Sequence, residues 1–386
     1  MPTAEPRGER FILGLRELSG ALGDLGTLLP LMLGTIAVAG LAPAPVLLGF
    51  AVFYVATALH YRLPIPVQPM KAVAAVLLTA GITPAGIAAS GVLIGLALLV
   101  LGATGWITRL ARLVPQSVMA GLQLGLGLAL ALVALDLLAT APIVGAMTLA
   151  IVLALLLAPR WPSALVALAA AVVLAGALDA PGIELPAGAG SLLAIPPLPT
   201  LAELESAVAT LALPQLSLTL TNAVLLTALV AGDYFGDRAA HVTPARLSIT
   251  SGLANLLLTP LGALPMCHGA GGLAAHHRFG ARSGTAPLAL GLALLAVALL
   301  PGDLGLALLA ALPAAGLGAL LLVAAGELAL TRRLFDSRPS CWPVIAVTAA
   351  VTLWVDPFWG MLAGGGAEAV RVAALRLANR SATTPR

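Results

Sequence analysis

Lysine is nearly missing from this sequence. Lys71 stands alone, and the other basic side chains are arginines and five histidines. Charge of either sign is scarce, with 9% of residues Asp, Glu, Lys or Arg against ~25% in soluble chains. That scarcity excludes an ordinary soluble domain. Two cysteines, Cys267 and Cys341, exclude a disulfide framework. No HExxH, GxSxG or CxxC signature occurs, and no nucleophile is set beside a base, which argues against an intramembrane enzyme. The pI near 9.3 comes from arginines scattered through the loops rather than from a basic patch, so nucleic-acid binding has no support. No cofactor is implied. The first ten residues are polar, and a cleavable signal peptide is not expected.

What the sequence does contain is apolar: 60% of residues are hydrophobic and the mean hydropathy is +1.06. A membrane helix needs ~20 apolar residues, so the chain holds at most roughly fourteen spans. Forty-one glycines and 29 prolines are too many for straight spans and fit broken, closely packed helices. Apolar segments fall at roughly 12–38, 44–60, 68–80, 84–105, 113–137, 142–159, 161–178, 214–236, 245–263, 266–276, 284–300, 311–330, 340–355 and 357–372. The third and tenth are too short to cross a bilayer. A polar stretch over about 179–212, with Asp179, Glu184, Glu203 and Glu205 but no Lys or Arg, separates seven segments from seven.

The arginines test that count. With a cytoplasmic amino terminus, the cytoplasmic loops hold Arg62, Arg109 and Arg112, Arg160, Arg238 and Arg246, Arg278 and Arg282, and Arg332, Arg333 and Arg338. Arg7, Arg10 and Arg16 sit at one end, and Arg371, Arg376, Arg380 and Arg386 at the other. Every arginine lies on one side, as the positive-inside rule requires. The sequence therefore predicts an all-α integral membrane protein of about 14 transmembrane segments, multi-pass in the plasma (inner) membrane, with both termini cytoplasmic. An odd number of segments per half inverts the second half (213–386) relative to the first (1–180), across an extracytoplasmic linker (181–212). That is the inverted-repeat plan of secondary transporters.

The two short segments occupy matched places in the halves. The third opens P-I-P-V-Q-P-M-K-A-V-A-A (64–75) and the tenth G-A-L-P-M-C-H-G-A-G-G-L-A-A (262–275). Pro64, Pro66 and Pro69 exclude a helix interior, so 63–69 should be extended and a half-helix should start near Met70. A second should start just after Pro265. Inverted repeats bring the two amino ends together near the midplane, each carrying unpaired N–H groups and about half a positive charge. Such a pair favours an anion, and a tetrahedral oxyanion can accept from both. Gly269, Gly271 and Gly272 leave room for a ligand near the backbone. Lys71, at the start of the first half-helix, is the obvious counter-ion; the alternatives are snorkelling or a structural pair with a carboxylate.

Segments one and eight supply companions. Segment one carries Asp24 and Thr27 in G-D-L-G-T (23–27), and segment eight carries Gln215, Thr219, Thr221 and Asn222 in L-P-Q-L-S-L-T-L-T-N-A-V (213–224). Hydroxyls and amides can donate to an oxyanion without adding charge, or can simply bond between helices. Asp24 and Asp233 are candidate proton carriers, whereas Glu17 and Asp237 are expected at the interface. Neighbours on a helix point ~100° apart, so Cys267 and His268 do not form a dyad. No further ligands near them are visible, and no metal site is expected. His268 either faces the ligand or is a packed, hydrogen-bonded histidine. His276, His277 and Arg278 read as an anchor at the cytoplasmic face. The substrate-site candidates are Thr27, Gln68, Met70, Lys71, Gln215, Thr219, Asn222, Cys267, His268, Gly269, Ala270 and Gly271.

Four blocks, G-D-L-G-T-L-L-P-L (23–31), P-V-Q-P-M-K-A (66–72), L-P-Q-L-S-L-T-L-T-N-A-V (213–224) and P-M-C-H-G-A-G-G-L (265–273), resemble the molybdate-transporter family, a branch of the sulfate permease superfamily. The following R-F-G-A-R-S-G (278–284) also fits, and the resemblance runs over essentially the whole chain. It implies a core domain of segments 1–4 and 8–11, a gate domain of segments 5–7 and 12–14, and substrate held between the third and tenth segments. It further implies an elevator-like or rocking movement, a homodimer, and no carboxyl-terminal regulatory domain of the kind many sulfate permeases carry. Molybdate is favoured over sulfate, with proton symport as the coupling. Within the same fold class, a nucleobase, bicarbonate or dicarboxylate carrier or a passive anion channel is the alternative.

Overall fold

A computed structural model describes residues 11–77, 82–158, 161–180, 192–300 and 304–382. Arg7, Arg10, Arg160, Glu184 and Arg386, used in the charge-based topology, lie outside the described residues. Segment one is two helices, α1 (Leu15–Gly23) and α2 (Leu25–Ala39), bent by 47° where Asp24 turns its carboxylate inward. Helix α3 (Pro43–Tyr61) begins with proline in its first turn, where the missing N–H costs nothing. It stops at Arg62, which takes a left-handed φ of 54°. The proline-led run then stays extended as expected, forms strand β1 (Gln68–Pro69), and enters half-helix α4 (Lys71–Leu77).

After α4 come α5 (Pro84–Ala103), a short α6 (Trp106–Leu113), α7 (Gln116–Ala139), α8 (Pro142–Leu156) and α9 (Ser163–Ala177). Segment eight is helical from Leu201 to Ala239, with Gly236 near its end at a positive φ of 54°, so it takes up the last part of the expected linker. A capping box of Thr200 and Glu203 starts it. Its regular stretches are α10 (Leu201–Ser206), α11 (Leu213–Leu218) and α12 (Thr227–Phe235), separated by wider π-helical turns at Ala207–Ala212 and Thr219–Leu226.

Helix α13 (Pro244–Leu258) leads to strand β2 (Met266–Cys267) and half-helix α14 (Ala270–Arg278). This second half-helix starts at Ala270, later than the position just after Pro265 expected from sequence. Two contacts explain the delay. The Asn255 amide donates to the Met266 carbonyl (2.6 Å) and accepts its N–H (2.9 Å), and β2 pairs antiparallel with β1, Gln68 opposite Cys267 and Pro69 opposite Met266. The chain closes with α15 (Thr285–Ala298), α16 (Leu304–Ala310), α17 (Ala314–Ala329), α18 (Arg332–Phe335), α19 (Trp342–Trp354) and α20 (Pro357–Ala382). Segment twelve is thus longer than its apolar run, because α16 and α17 meet at a 60° bend.

Four single helices (Pro43–Tyr61, Pro84–Ala103, Gln116–Ala139 and the Leu201–Ala239 rod) are long and apolar enough to cross a membrane, and the two bent pairs qualify as broken spans. The packing recurs between halves. Helix α3 lies on α15 as α5 lies on α13, and α8 lies on α9 as α19 lies on α20. Helix α7 contacts α19 and α20 as α17 contacts α8 and α9, while α7 and α17 pack directly on each other. Apolar side chains fill these seams: Leu28, Met32, Phe50 and Tyr54 in one large cluster, Leu122, Leu126, Leu273 and Leu328 in another.

Candidate functional site

The β1–β2 pair sets the amino ends of α4 and α14 side by side with opposite directions, and the Met70 N–H adds a bond to the Pro265 carbonyl (3.0 Å). Proline carbonyls in this extended run need donors, and two buried histidines supply them. His268 Nδ1 donates to Pro66 O (2.9 Å) and His276 Nδ1 to Pro64 O (2.9 Å). With its Nδ1–H committed, His268 Nε2 is left to accept from Thr250 Oγ1 (2.9 Å), which in turn takes a hydrogen bond from the Tyr61 hydroxyl (2.8 Å). His268 is therefore a packed, fully bonded histidine that fixes the site's backbone. His276, read from sequence as an interfacial anchor, is fully buried in the same structural task. Glu17, also expected at the interface, is buried and accepts the Arg282 N–H (2.8 Å).

Between the half-helices and segment eight lies a small polar cavity. Gln68, Lys71, Gln215, Thr219, Asn222, Cys267 and His268 line it, with Pro69, Leu218 and Ala223. Its volume is about 10 Å³, barely room for one water, so the site is closed. Gln215 makes a contribution that sequence did not reveal. Its Oε1 accepts the N–H groups of Ala72 (2.8 Å) and Val73 (3.3 Å), capping α4, while its Nε2 donates to Thr219 Oγ1 (2.8 Å). Part of the N–H array expected to meet an anion is thus already satisfied by a side chain.

Three buried polar atoms at this cavity have no hydrogen-bond partner among the described residues: Lys71 Nζ, Asn222 Oδ1 and Gln68 Oε1. Orphaned buried groups are costly and rare in folded proteins. Three of them converge on this one cavity.

Behind the cavity sits Asp24, fully buried. Gln68 Nε2 donates to its Oδ1 (2.6 Å) and also contacts Thr27 Oγ1 (2.6 Å), and Thr27 Oγ1 donates to Asp24 Oδ1. The Tyr54 hydroxyl of α3 reaches Oδ2 (3.3 Å). Tyr54 was not singled out from sequence; inside an apolar run, nothing distinguishes it from a core tyrosine.

The glycines divide by direction. A Cβ on Gly269 would overlap Gln68 Oε1, and one on Gly272 would lie 2.5 Å from Gln68 Nε2 and 2.6 Å from Asp24 Oδ1. Gly271 is turned away: its Cβ would meet Leu130 of α7 at 2.6 Å. Its assignment to the ligand site is corrected accordingly, since successive helix residues point ~100° apart. Met70 and Ala270 are likewise fully buried in apolar clusters rather than in the cavity lining.

Asp233, the other candidate proton carrier, lies on a polar cleft of about 940 Å³ at the arginine-bearing end of the helices. Arg333 grips it from two sides (Nη2–Oδ1 2.5 Å, Nε–Oδ2 2.8 Å) and also bonds Gln116. Nearby, Glu327 of α17 faces His277 (3.6 Å) and Arg278 (3.7 Å) of α14. Two charge-assisted bonds from one guanidinium fix the geometry of the Asp233–Arg333 pair.

An all-helical array of membrane segments broken at two paired half-helices defines a multi-pass membrane transporter. Solved structures share the fold. The transmembrane domain of the cyanobacterial bicarbonate transporter BicA matches with a TM-score of 0.61 and 17% identity, over 90% of this chain and 96% of that one. Murine Slc26a9, an anion transporter in the inward-facing state, matches with a TM-score of 0.60 and 16% identity, over 96% and 70%. Sequence narrows the class. The family model described as "Molybdate transporter of MFS superfamily" matches residues 16–130 and 207–328. Molybdate transporter 2 of Arabidopsis thaliana is 32% identical over 87% of this chain and 82% of its own length, and Molybdate transporter 1 of Chlamydomonas reinhardtii is 28% identical over 88% of each. The chain belongs to the molybdate transporter family, whose members here are transporters and not enzymes. Its function is anion transport.

Proposed function

We propose that this protein is a secondary active importer of a tetrahedral oxyanion, molybdate first and sulfate second, held between the amino ends of α4 and α14. The observation that carries this is the buried Lys71 ammonium without a partner at the cavity. An ammonium plus about half a charge from each helix end amounts to roughly +2, which matches a dianion. Asn222 can turn its amide so that the NH₂ faces the ligand, since the two ends of the amide are related by a flip.

Asp24 supplies the coupling in this reading. In the empty site its carboxylate offsets Lys71 and is held by three donors. A bound dianion leaves excess negative charge in a low-dielectric site, and a proton on Asp24 relieves it. One proton would then accompany each anion inward.

The recurring helix pairs support a seven-plus-seven inverted repeat in which all fourteen segments belong to the membrane domain. They also support a core of segments 1–4 and 8–11 moving against a gate of segments 5–7 and 12–14. In this reading both termini and the arginines face the cytoplasm across the plasma membrane, and the protein is a homodimer. The closed cavity must open toward each face in turn, and the Asp233–Arg333 and Glu327–Arg278 pairs, which join core to gate, hold the cytoplasmic side shut.

Uptake of radiolabelled molybdate into proteoliposomes, competed by tungstate, sulfate and uracil, tests the proposal. Saturable uptake blocked by tungstate is the expected result. Competition by uracil with indifference to the oxyanions would overturn the substrate assignment while leaving the fold intact.

A further inference from the structure

Helix α6 has two faces with different owners. Ile107 and Ala111, one turn apart, point inward onto Val224 and Leu225 of segment eight, with Ala245 of α13 and Met361 of α20 close by. Trp106, Arg109, Arg112 and Leu113 point outward; Trp106 is 57% and Leu113 75% exposed. Gly105, in the left-handed region at φ 71°, turns the chain into α6, and Pro115 ends it, so the helix joins α5 to α7 as a separate element. No acidic residue occurs in the sequence between Asp24 and Asp136, and neither arginine has an acidic partner among the described residues.

We propose that α6 is a lipid-reading helix whose outer face docks on the headgroups of anionic phospholipids. Three observations select that occupant. The helix directly continues two membrane-crossing helices, which places it at the level of the bilayer surface. Its outer face carries positive charge only, which complements an anionic leaflet and not a zwitterionic one. It sets a tryptophan and a leucine beside the arginines, the combination by which interfacial helices sink an apolar edge among headgroups. Each arginine adds about a fivefold preference for an anionic surface.

Docking here has a consequence for transport. Val224 and Leu225, on which Ile107 rests, follow Asn222 in the π-helical turn Thr219–Leu226, where segment eight lines the cavity. A bound leaflet therefore holds the wall of the site through one layer of packing. α6 also joins segment four to segment five, so in the proposed domain division it is a hinge between core and gate anchored to lipid.

The primary test does not depend on the substrate assignment. The full chain in detergent is titrated with phosphatidylglycerol or phosphatidylcholine and its thermal unfolding midpoint is followed, because a ligand of the folded state raises it. Phosphatidylglycerol is expected to raise the midpoint above the phosphatidylcholine value in the wild type and in Arg109→Lys/Arg112→Lys. That difference should vanish in Arg109→Gln/Arg112→Gln and persist in Arg376→Gln, a control at the same end of the molecule. Should the double Gln variant not fold, the single Arg112→Gln variant is expected to lose about half of the difference. A full phosphatidylglycerol response in the Gln variants, or none in the wild type, overturns the proposal. Molybdate uptake in vesicles of the two lipids then reads the coupling. Lipid-independent uptake in a protein that still shows the thermal shift removes the hinge role and leaves the docking site.

Discussion

In the cleft at the arginine-bearing end, two acidic groups have basic neighbours: Asp233 has Arg333, and Glu327 has His277 and Arg278. In the central cavity, Lys71, Asn222 and Gln68 each bury a polar atom with no hydrogen-bond partner among the described residues. The cleft is large and its charged side chains are partly exposed, so its pairs are weak; the cavity is closed, so an unmet ammonium there is expensive. In the proposed reading, the difference separates a surface that holds two parts of the molecule together from a site for an anion.

The largest test of this contrast is steric. Gly272→Val places a side chain against Asp24 and Gln68 and is expected to abolish uptake, by about 100-fold or more, in protein that still inserts. Gly271→Ala presses on Leu130 instead and should lower the unfolding midpoint with anion affinity unchanged. Equal loss of affinity in both would erase the distinction between the two faces of α14.

Lys71→Ala comes next. Hydrogen bonds to charged groups are worth about 1.5–3 kcal/mol, so molybdate affinity should fall by about 10- to 100-fold in proteoliposomes. Unchanged affinity would reduce Lys71 to structural glue.

Asp24→Asn addresses the proton. A proton that enters with the dianion makes wild-type uptake rise as pH falls. The Asn variant, neutral at every pH, should bind molybdate yet show a flat pH profile, measured as initial rate against external pH. A pH response identical to the wild type would place the coupling elsewhere.

The smallest effect belongs to the cleft. Asp233 and Arg333 are about a third exposed, and pairs of this kind couple by about 0.2–1 kcal/mol. A double-mutant cycle of Asp233→Ala and Arg333→Ala should show coupling of that size in thermal stability, with molybdate affinity within about twofold of wild type. A coupling several times larger would mean that the cleft is as desolvated as the cavity.

Much of this was legible in the residues. Three prolines within six positions dictate an extended run before α4, because proline donates no N–H and clashes inside a helix. A single lysine in an apolar chain marks its own place. The apolar runs anticipated the long helices, whereas α10, α16 and α18 lie outside them. α6 lies outside them too, because its arginines interleaved with apolar residues over 106–113 read as a loop. What stayed hidden depends on contacts between residues far apart in sequence. That Gln215 caps α4, that His268 and His276 clamp the carbonyls of Pro66 and Pro64, and that Tyr54 reaches Asp24 are all such contacts.

Sequence by itself determined that the chain is a membrane protein with two half-helices and a lone cation at the head of one, because composition, proline geometry and charge placement are local properties. Only the tertiary structure decided which polar groups remain unpaired. It paired Asp233 with Arg333, turned Gly271 toward α7, and left Lys71 Nζ without a hydrogen-bond partner among the described residues. Pairing depends on direction and distance in three dimensions, and a string of residue types carries neither.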